Sequence, residues 1–156
     1  MNCRHDDVRM ETPAVRQVLD DEEQAGLREL AVYRDFQARA DRVKDDLLAF
    51  LIEQKHAGRT VAAYGAAAKG NTLLNYAGVK PDLLPYVCDA APSKQGKYLP
   101  GSHLPILPPA ALRKHQPDWV LILPWNLAAE VVEQHGSIRD WRGRFVTAVP
   151  NLRVWA

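Results

Sequence analysis

The segment from Gly65 to Thr72 has the residue types that most clearly suit ligand binding. It reads Gly-Ala-Ala-Ala-Lys-Gly-Asn-Thr and joins an apolar run to a short helical pattern. Small side chains allow backbone N–H groups to approach an anion, and a helix that follows directs its positive end at the same point. The candidate binding residues of this loop are Gly65, Ala66, Ala67, Lys69, Gly70, Asn71 and Thr72. Their chemistry suits a phosphate or a pyrophosphate.

The loop matches neither of the two common phosphate-binding motifs. Alanine stands at the second glycine position of G-x-G-x-x-G, and Asn71 replaces the lysine of G-x-x-x-x-G-K-[ST]. A tight strand-to-helix turn that needs small residues for packing explains the same residues. The sequence alone leaves both interpretations open, a phosphate-binding loop and a packing turn.

A second loop begins at Asp89, after another apolar run, 24 positions beyond Gly65. An acidic residue at this place accepts hydrogen bonds from ribose hydroxyls in dinucleotide-binding folds. An aspartate that only caps its own loop explains the residue equally well. Lys94 and Lys97 add two positive charges to the loop and are further candidates for contact with a ligand.

A third loop, Pro124-Trp125-Asn126, follows the most apolar run of the chain. The indole of Trp125 offers a face on which a base or a sugar can stack, and Asn126 offers hydrogen bonds. The competing interpretations are a core tryptophan and an N-cap of the next helix. For Asn126 the N-cap is the favoured interpretation, because asparagine is among the preferred residues there.

Catalytic and metal-binding motifs are not readable in the sequence. It contains no glycine-serine elbow, no H-E-x-x-H and no paired cysteines. Cys3-Arg4-His5 lacks a second pair at a zinc-site spacing, so it is interpreted as part of a frayed terminus. Cys88 ends the apolar run Tyr86-Val87-Cys88, which predicts a buried and unreactive thiol.

The elements that position these loops alternate along residues 58–156. Apolar strands are predicted at 60–64, 83–88, 104–106, 119–123, 145–149 and 152–155, and helices at 71–77, 110–112 and 127–135. This order predicts a Rossmann-like α/β fold, a mostly parallel sheet with helices on both faces. Ligands bind such sheets beyond the carboxyl ends of the strands, where the three loops are expected to lie together.

The first part of the chain has a different pattern. Residues 1–13 are predicted to be a disordered tail, and residues 14–57 a helical lead-in with the α/β domain following at 58–156. Apolar residues recur at steps of three and four between Leu27 and Leu51, with charged residues between them, which indicates a long amphipathic helix. Gly26 is a place where this helix can break.

Composition limits the classes of function. The chain has 156 residues, of which 47% are hydrophobic and 25% charged, as is typical of one globular domain. A net charge of +1 gives no broad attraction for nucleic acid or for an anionic membrane, so neither is expected as a partner. No secretory signal and no apolar run long enough for a bilayer is recognisable, so a cytoplasmic location is expected.

Three segments carry a resemblance to a known family. They are AAYGAAAKGNTLLNYAG, PYVCDAAPSKQGKYLPGSHLPI and PDWVLILPWNLAAE, in this order along the chain. Together they resemble the C-terminal domain of bacterial sugar C-methyltransferases, which add a methyl group to nucleotide-linked deoxysugars. The resemblance implies a nucleotide-sugar ligand, in which the sugar is expected to be linked to thymidine diphosphate. It also implies that the Gly65–Thr72 loop lies near this ligand, with Asp89, Lys94, Lys97, Trp125 and Asn126 at the same end.

Enzymes of this kind combine such a domain with a zinc-binding domain and an S-adenosylmethionine domain. Neither the four-cysteine site nor the methyl-donor loop has a counterpart in this sequence, so the chain itself is expected to bind no cofactor. Its expected partner is a methyl-donor domain, in the same chain or in another. The resemblance assigns no catalytic base here. Two other functions stay open: a stand-alone module for a nucleotide, a dinucleotide or coenzyme A, and a non-catalytic interaction domain.

Overall fold

The computed structural model describes residues 12–155, and within them one sheet forms the centre of the α/β part. Its strands lie in the order β3-β2-β1-β4-β5-β6. The first five are parallel, and β6 is antiparallel to β5. The strands are β1 Val61–Tyr64, β2 Val87–Cys88, β3 Ile106–Leu107, β4 Trp119–Ile122, β5 Arg144–Thr147 and β6 Arg153–Trp155. The predicted Rossmann-like, mostly parallel sheet is confirmed.

Helices connect the strands in the order that the sequence predicts. They are α1 Pro13–Gln24, α2 Leu30–Tyr33, α3 Phe36–His56, α4 Ala68–Tyr76, α5 Ala110–His115 and α6 Ala128–Gln134, with 3-10 segments at Trp125–Leu127 and Gly136–Trp141. No helix within residues 12–155 is long and apolar enough to cross a bilayer.

The sheet is buried on both faces, as a sheet covered by helices must be. Alternate residues of β1 point to opposite sides: Val61 and Ala63 belong to one apolar cluster, and Ala62 and Tyr64 belong to the other. The first cluster includes residues of α3 and α4, and the second includes residues of α5 and α6. The prediction of helices on both faces is therefore confirmed.

The chain divides into two units, residues 1–39 and residues 40–156. In the first unit, α1 and α2 contain no buried residue, and Gly26 has a φ of +69° between them. In the second unit, Leu47, Phe50 and Leu51 of α3 are core residues. The predicted long helix is thus confirmed in part: α3 spans 21 residues, while the residues before it form two shorter helices.

The structure places two boundaries differently from the sequence predictions. The tail predicted for residues 1–13, with Cys3-Arg4-His5, lies mostly outside the described residues, and Pro13 is already the first residue of α1. The strand predicted at 83–88 is confined to Val87–Cys88. Pro85 has no N–H to donate to a sheet, so the ladder begins only after it. The domain boundary predicted at 57–58 stays a prediction.

Cys88 and His135 are two titratable groups on the second face of the sheet. Cys88 is fully buried, so the predicted burial is confirmed, and burial raises the pKa of its thiol to about 12. The ring of His135 packs at 4.3 Å from the ring of Tyr64, and its Nε2 atom is buried with no hydrogen-bond partner within the described residues. Burial lowers the pKa of His135 from 6.5.

His135 predicts a pH dependence of stability. Because its pKa is lower in the folded state, the unfolded chain binds more protons just below the ordinary pKa. The free energy of unfolding should therefore fall as the pH drops from about 7.5 to about 5.5. His135→Gln should make this fall smaller, as measured by urea unfolding at the two pH values. His56→Gln removes an exposed histidine as the control. An unchanged slope in His135→Gln would contradict the assignment.

Candidate functional site

The order of the strands reverses between β1 and β4, which is where open α/β sheets form a ligand-binding crevice. From β1 the chain proceeds through β2 and β3 to one side of the sheet, whereas β4, β5 and β6 lie on the other side. Ligands of open α/β sheets bind where the order reverses in this way, beyond the carboxyl ends of the strands. The loop after β1 contains Gly65, and the loop after β4 contains Trp125 and Asn126. The sheet thus brings the first and third predicted loops to the switch point.

Glycine allows these two loops to come very close. A Cβ atom on Gly65 would lie 2.4 Å from Cδ of Pro124, and a Cβ atom on Gly70 would lie 2.6 Å from Cβ of Leu123. Gly65 also has a φ of +93°, which glycine adopts at no steric cost. The packing interpretation of these glycines is therefore correct, and the same packing fixes the end of α4 that faces the crevice.

The second loop is tied to the first by a buried carboxylate. Asp89 is 7% exposed, and its Oδ2 accepts hydrogen bonds from the backbone N–H of Ala66 at 2.7 Å and from Nζ of Lys94 at 3.1 Å. Its Oδ1 accepts one from the N–H of Ala91 at 2.8 Å. Asp89 therefore caps its own loop and joins it to the loop after β1, with most of its acceptor capacity used within the protein.

The amides available to an anion are those of the first turn of α4. The N–H of Ala66 donates to Asp89, and the N–H of Ala67 donates to the carbonyl of Gly65 at 2.8 Å. Helix α4 begins at Ala68 instead of at Asn71, so the amides of its first turn, from Ala68 to Gly70, have no carbonyl of the same helix to bind. Sequence reasoning missed Ala68 because the predicted helix began too late.

Lys69 joins the first loop to the third. Its ammonium group donates a hydrogen bond to Oδ1 of Asn126 and lies 4.9 Å from the centre of the Trp125 ring. The prediction that Asn126 caps the following helix is wrong. Asn126 lies inside the 3-10 segment Trp125–Leu127, Leu127 is the N-cap residue of α6, and no side-chain cap is formed. The lysine is the partner that the amide oxygen takes instead.

The remaining candidates differ in their environment. Asn71 lies in the first half of α4, and its Oδ1 is buried with no partner within the described residues. Thr72 donates its hydroxyl to the carbonyl of Ala68 at 3.1 Å, as helical threonines commonly do. Lys97 is exposed, and its backbone pairs with Ile106 at the edge of the sheet. The loops therefore bring together Gly65 to Asn71, Asp89, Lys94, Trp125 and Asn126, while the side chain of Lys97 makes no hydrogen bond or ion pair with them within the described residues.

The close approach of Gly65 to Pro124 makes a prediction about stability. Gly65→Ala should lower the free energy of unfolding by the cost of a left-handed backbone and, in addition, by about 1–3 kcal/mol for the clash. Gly58→Ala is the matched control, because Gly58 also has a positive φ, of +68°, but nothing lies within 4 Å of its added Cβ. Urea unfolding measures both variants. Equal losses in the two would show that the loops do not depend on this contact.

Metal ligands do not come together in the described part of the chain. Within residues 12–155, no group of three histidine, cysteine, aspartate or glutamate side chains is arranged to hold a metal ion. The three loops bring together backbone amides, the ammonium groups of Lys69 and Lys94, the carboxylate of Asp89, the indole of Trp125 and side-chain amides.

The chain is similar to a curated relative in sequence and to part of a solved structure. The chain is 37% identical over 142 residues to the C-methyltransferase NovU of Streptomyces niveus. This match covers 91% of the chain but only 34% of the relative, so the chain spans about a third of its length. The crystal structure of UDP-D-quinovosamine 4-dehydrogenase from Vibrio fischeri is 18% identical, with a TM-score of 0.44, and the match covers 63% of this chain and 93% of that one.

A family model described as the C-methyltransferase C-terminal domain matches residues 1–150. The match includes all three segments that carry the resemblance in the sequence, and it extends over α1 to β5. The resemblance is therefore confirmed, and the chain belongs to the C-methyltransferase C-terminal domain family.

Proposed function

We propose that this domain is the substrate-side part of a C-methyltransferase that acts on a nucleotide-linked deoxysugar. In this proposal it binds the phosphates of the nucleotide sugar and performs no chemistry alone. The observation that carries the proposal is the start of α4 at the switch point, where three backbone amides and the ammonium group of Lys69 lie beside the loop after β4. Helix N-termini and lysine side chains are common binding groups for phosphate.

The charge and geometry of the site favour a phosphate over an uncharged ligand. Unpaired amides in the first turn of a helix carry a partial positive charge, to which Lys69 adds a full one. The packing of Gly65 and Gly70 removes the side chains that would hold an anion away from this turn. Asp89, which is the acidic residue tied to the loop, is turned toward Ala66 and Lys94. A diphosphate therefore meets positive groups first.

The sugar part of the proposal rests on family membership and on the resemblance of the three sequence segments. The family is that of the C-methyltransferase C-terminal domain. The resemblance of the three segments points further, to methyltransferases that act on sugars and to a ligand containing thymidine diphosphate. Trp125 and Asn126 lie beside Lys69, at a suitable place to contact a base or a sugar of a ligand whose phosphates lie at α4. Asp89 and Lys94 are proposed to shape the second loop, and Lys97 to add positive charge at its outer side.

The methyl-transfer chemistry is proposed to reside outside this domain. The described residues have no metal-binding cluster, so no step through zinc is assigned to them. S-adenosylmethionine supplies the methyl group in such enzymes, and its site is expected in a separate methyl-donor domain. That domain is the proposed partner, whether it belongs to the same polypeptide or to another one. This domain would hold the substrate while the partner acts on the sugar ring.

Lys69→Ala tests the phosphate site. The variant should bind thymidine diphosphate more weakly by about 1–3 kcal/mol, the scale of a hydrogen bond to a charged group. Isothermal titration calorimetry of the chain measures the change. Lys114→Ala is the control, because it removes the same charge from the exposed end of α5 and should leave the affinity unchanged. Equal affinity for thymidine diphosphate in wild type and Lys69→Ala would show that Lys69 does not belong to the phosphate site.

The same titration separates the proposal from the other functions. The thymidine-diphosphate sugar should bind more tightly than a dinucleotide or coenzyme A, and S-adenosylmethionine should not bind. Tighter binding of a dinucleotide or of coenzyme A would favour a stand-alone nucleotide module. Absence of binding by every nucleotide would contradict a substrate-binding role and favour an interaction domain.

A further inference from the structure

The Lys69 side chain adds a positive charge to the crevice and also covers two groups of the loop after β4. Its backbone belongs to α4, after β1, and its ammonium group reaches the loop after β4. There it covers the face of the Trp125 ring and fills the acceptor Oδ1 of Asn126. One side chain therefore occupies two groups that would otherwise be available to an aromatic ligand: a stacking surface and a hydrogen-bond acceptor.

Both partners of Lys69, the Trp125 ring and the Asn126 amide, are uncharged, so an anion can replace them at a low cost in free energy. A cation over an aromatic ring at a partly exposed site contributes about 0.5–1 kcal/mol. The hydrogen bond from Lys69 to Asn126 has a charged donor and a neutral acceptor, whereas a phosphate oxygen offers the ammonium group a hydrogen bond and an opposite charge together. A phosphate at the N-terminus of α4 therefore competes for Lys69 on favourable terms, within reach of the same helix turn.

We propose that Lys69 masks a binding surface for a pyrimidine base, formed by Trp125 and Asn126, and that phosphate binding uncovers it. When the ammonium group turns to the phosphate, the indole face becomes free for stacking. At the same time Oδ1 of Asn126 becomes free to accept a hydrogen bond from the imide N–H of the base. This inference rests on the proposed function, because it takes the phosphates at α4 as given.

The consequence is coupled recognition of the two parts of one ligand. A nucleoside without phosphates must displace Lys69 from Trp125 and Asn126, and it provides no new hydrogen-bond acceptor of opposite charge for the ammonium group. A nucleoside diphosphate supplies the replacement partner and therefore reaches the same surface at a lower cost. Phosphorylated pyrimidine nucleosides would then bind more tightly than free ones, and the difference in affinity would be larger than the phosphate contacts alone provide.

A single variant tests the masking because it should change two affinities in opposite directions. Lys69→Ala should bind thymidine about twofold to fivefold more tightly than wild type does, the fold-change expected from losing a cation–π contact that competes. The same variant should bind thymidine diphosphate more weakly. Nuclear magnetic resonance titration of the chain with each probe, following the indole N–H signals, measures both affinities.

The control removes the surface that Lys69 covers. In the double variant Lys69→Ala, Trp125→Leu, the gain in thymidine affinity should disappear, because no indole is left to be uncovered. Circular dichroism and thermal unfolding of each variant show that the chain is folded. Thymidine affinity that is unchanged, lowered or too weak to measure in Lys69→Ala would contradict the masking.

The inference and the proposed function fail in different ways. If wild type does not bind thymidine diphosphate, the proposed function is wrong. If wild type binds it and Lys69→Ala weakens it, but thymidine gains nothing from the substitution, the phosphate site stands and the masking alone is wrong. A gain in thymidine affinity that persists in the double variant would place the base on another surface and would also overturn the inference.

Discussion

The site depends on contact between the loop after β1 and the loop after β4 at the point where the strand order reverses. Gly65 makes this contact possible, since any side chain there would overlap Pro124. The contact brings Lys69 within reach of Trp125 and Asn126. Gly65 is therefore required first for packing, and the proposed phosphate site at the start of α4 depends on that packing.

A buried carboxylate extends the same arrangement to the loop after β2. Asp89 bonds the backbone of Ala66 and the ammonium group of Lys94, so three loops are held as one surface. Such a surface suits a ligand that has an anionic centre and a ring on one side. The chain belongs to the C-methyltransferase C-terminal domain family, and in the proposed function this surface holds the acceptor of the methyl group.

Much of the fold could be predicted from the sequence, because alternating apolar strands and helices leave few parallel topologies. The burial of Cys88 followed from its apolar neighbours. The partners of Asp89 and Asn126 could not be predicted, since they depend on residues 23 and 57 positions away in the chain. The first turn of α4 was missed for a local reason: its alanines and glycine carry no polar signal of a helix start, and no side chain caps it.

The central claim is that the crevice between β1 and β4 binds the phosphates of a nucleotide. Amide chemical shifts of the labelled chain, followed during titration with thymidine diphosphate, test it most directly. The account predicts the largest changes at residues 68–70 and at the indole of Trp125. A cleft of about 430 Å³ at the opposite end of the sheet, lined by Tyr86 and His115 among others, provides the contrast. Changes confined to that cleft would contradict the account.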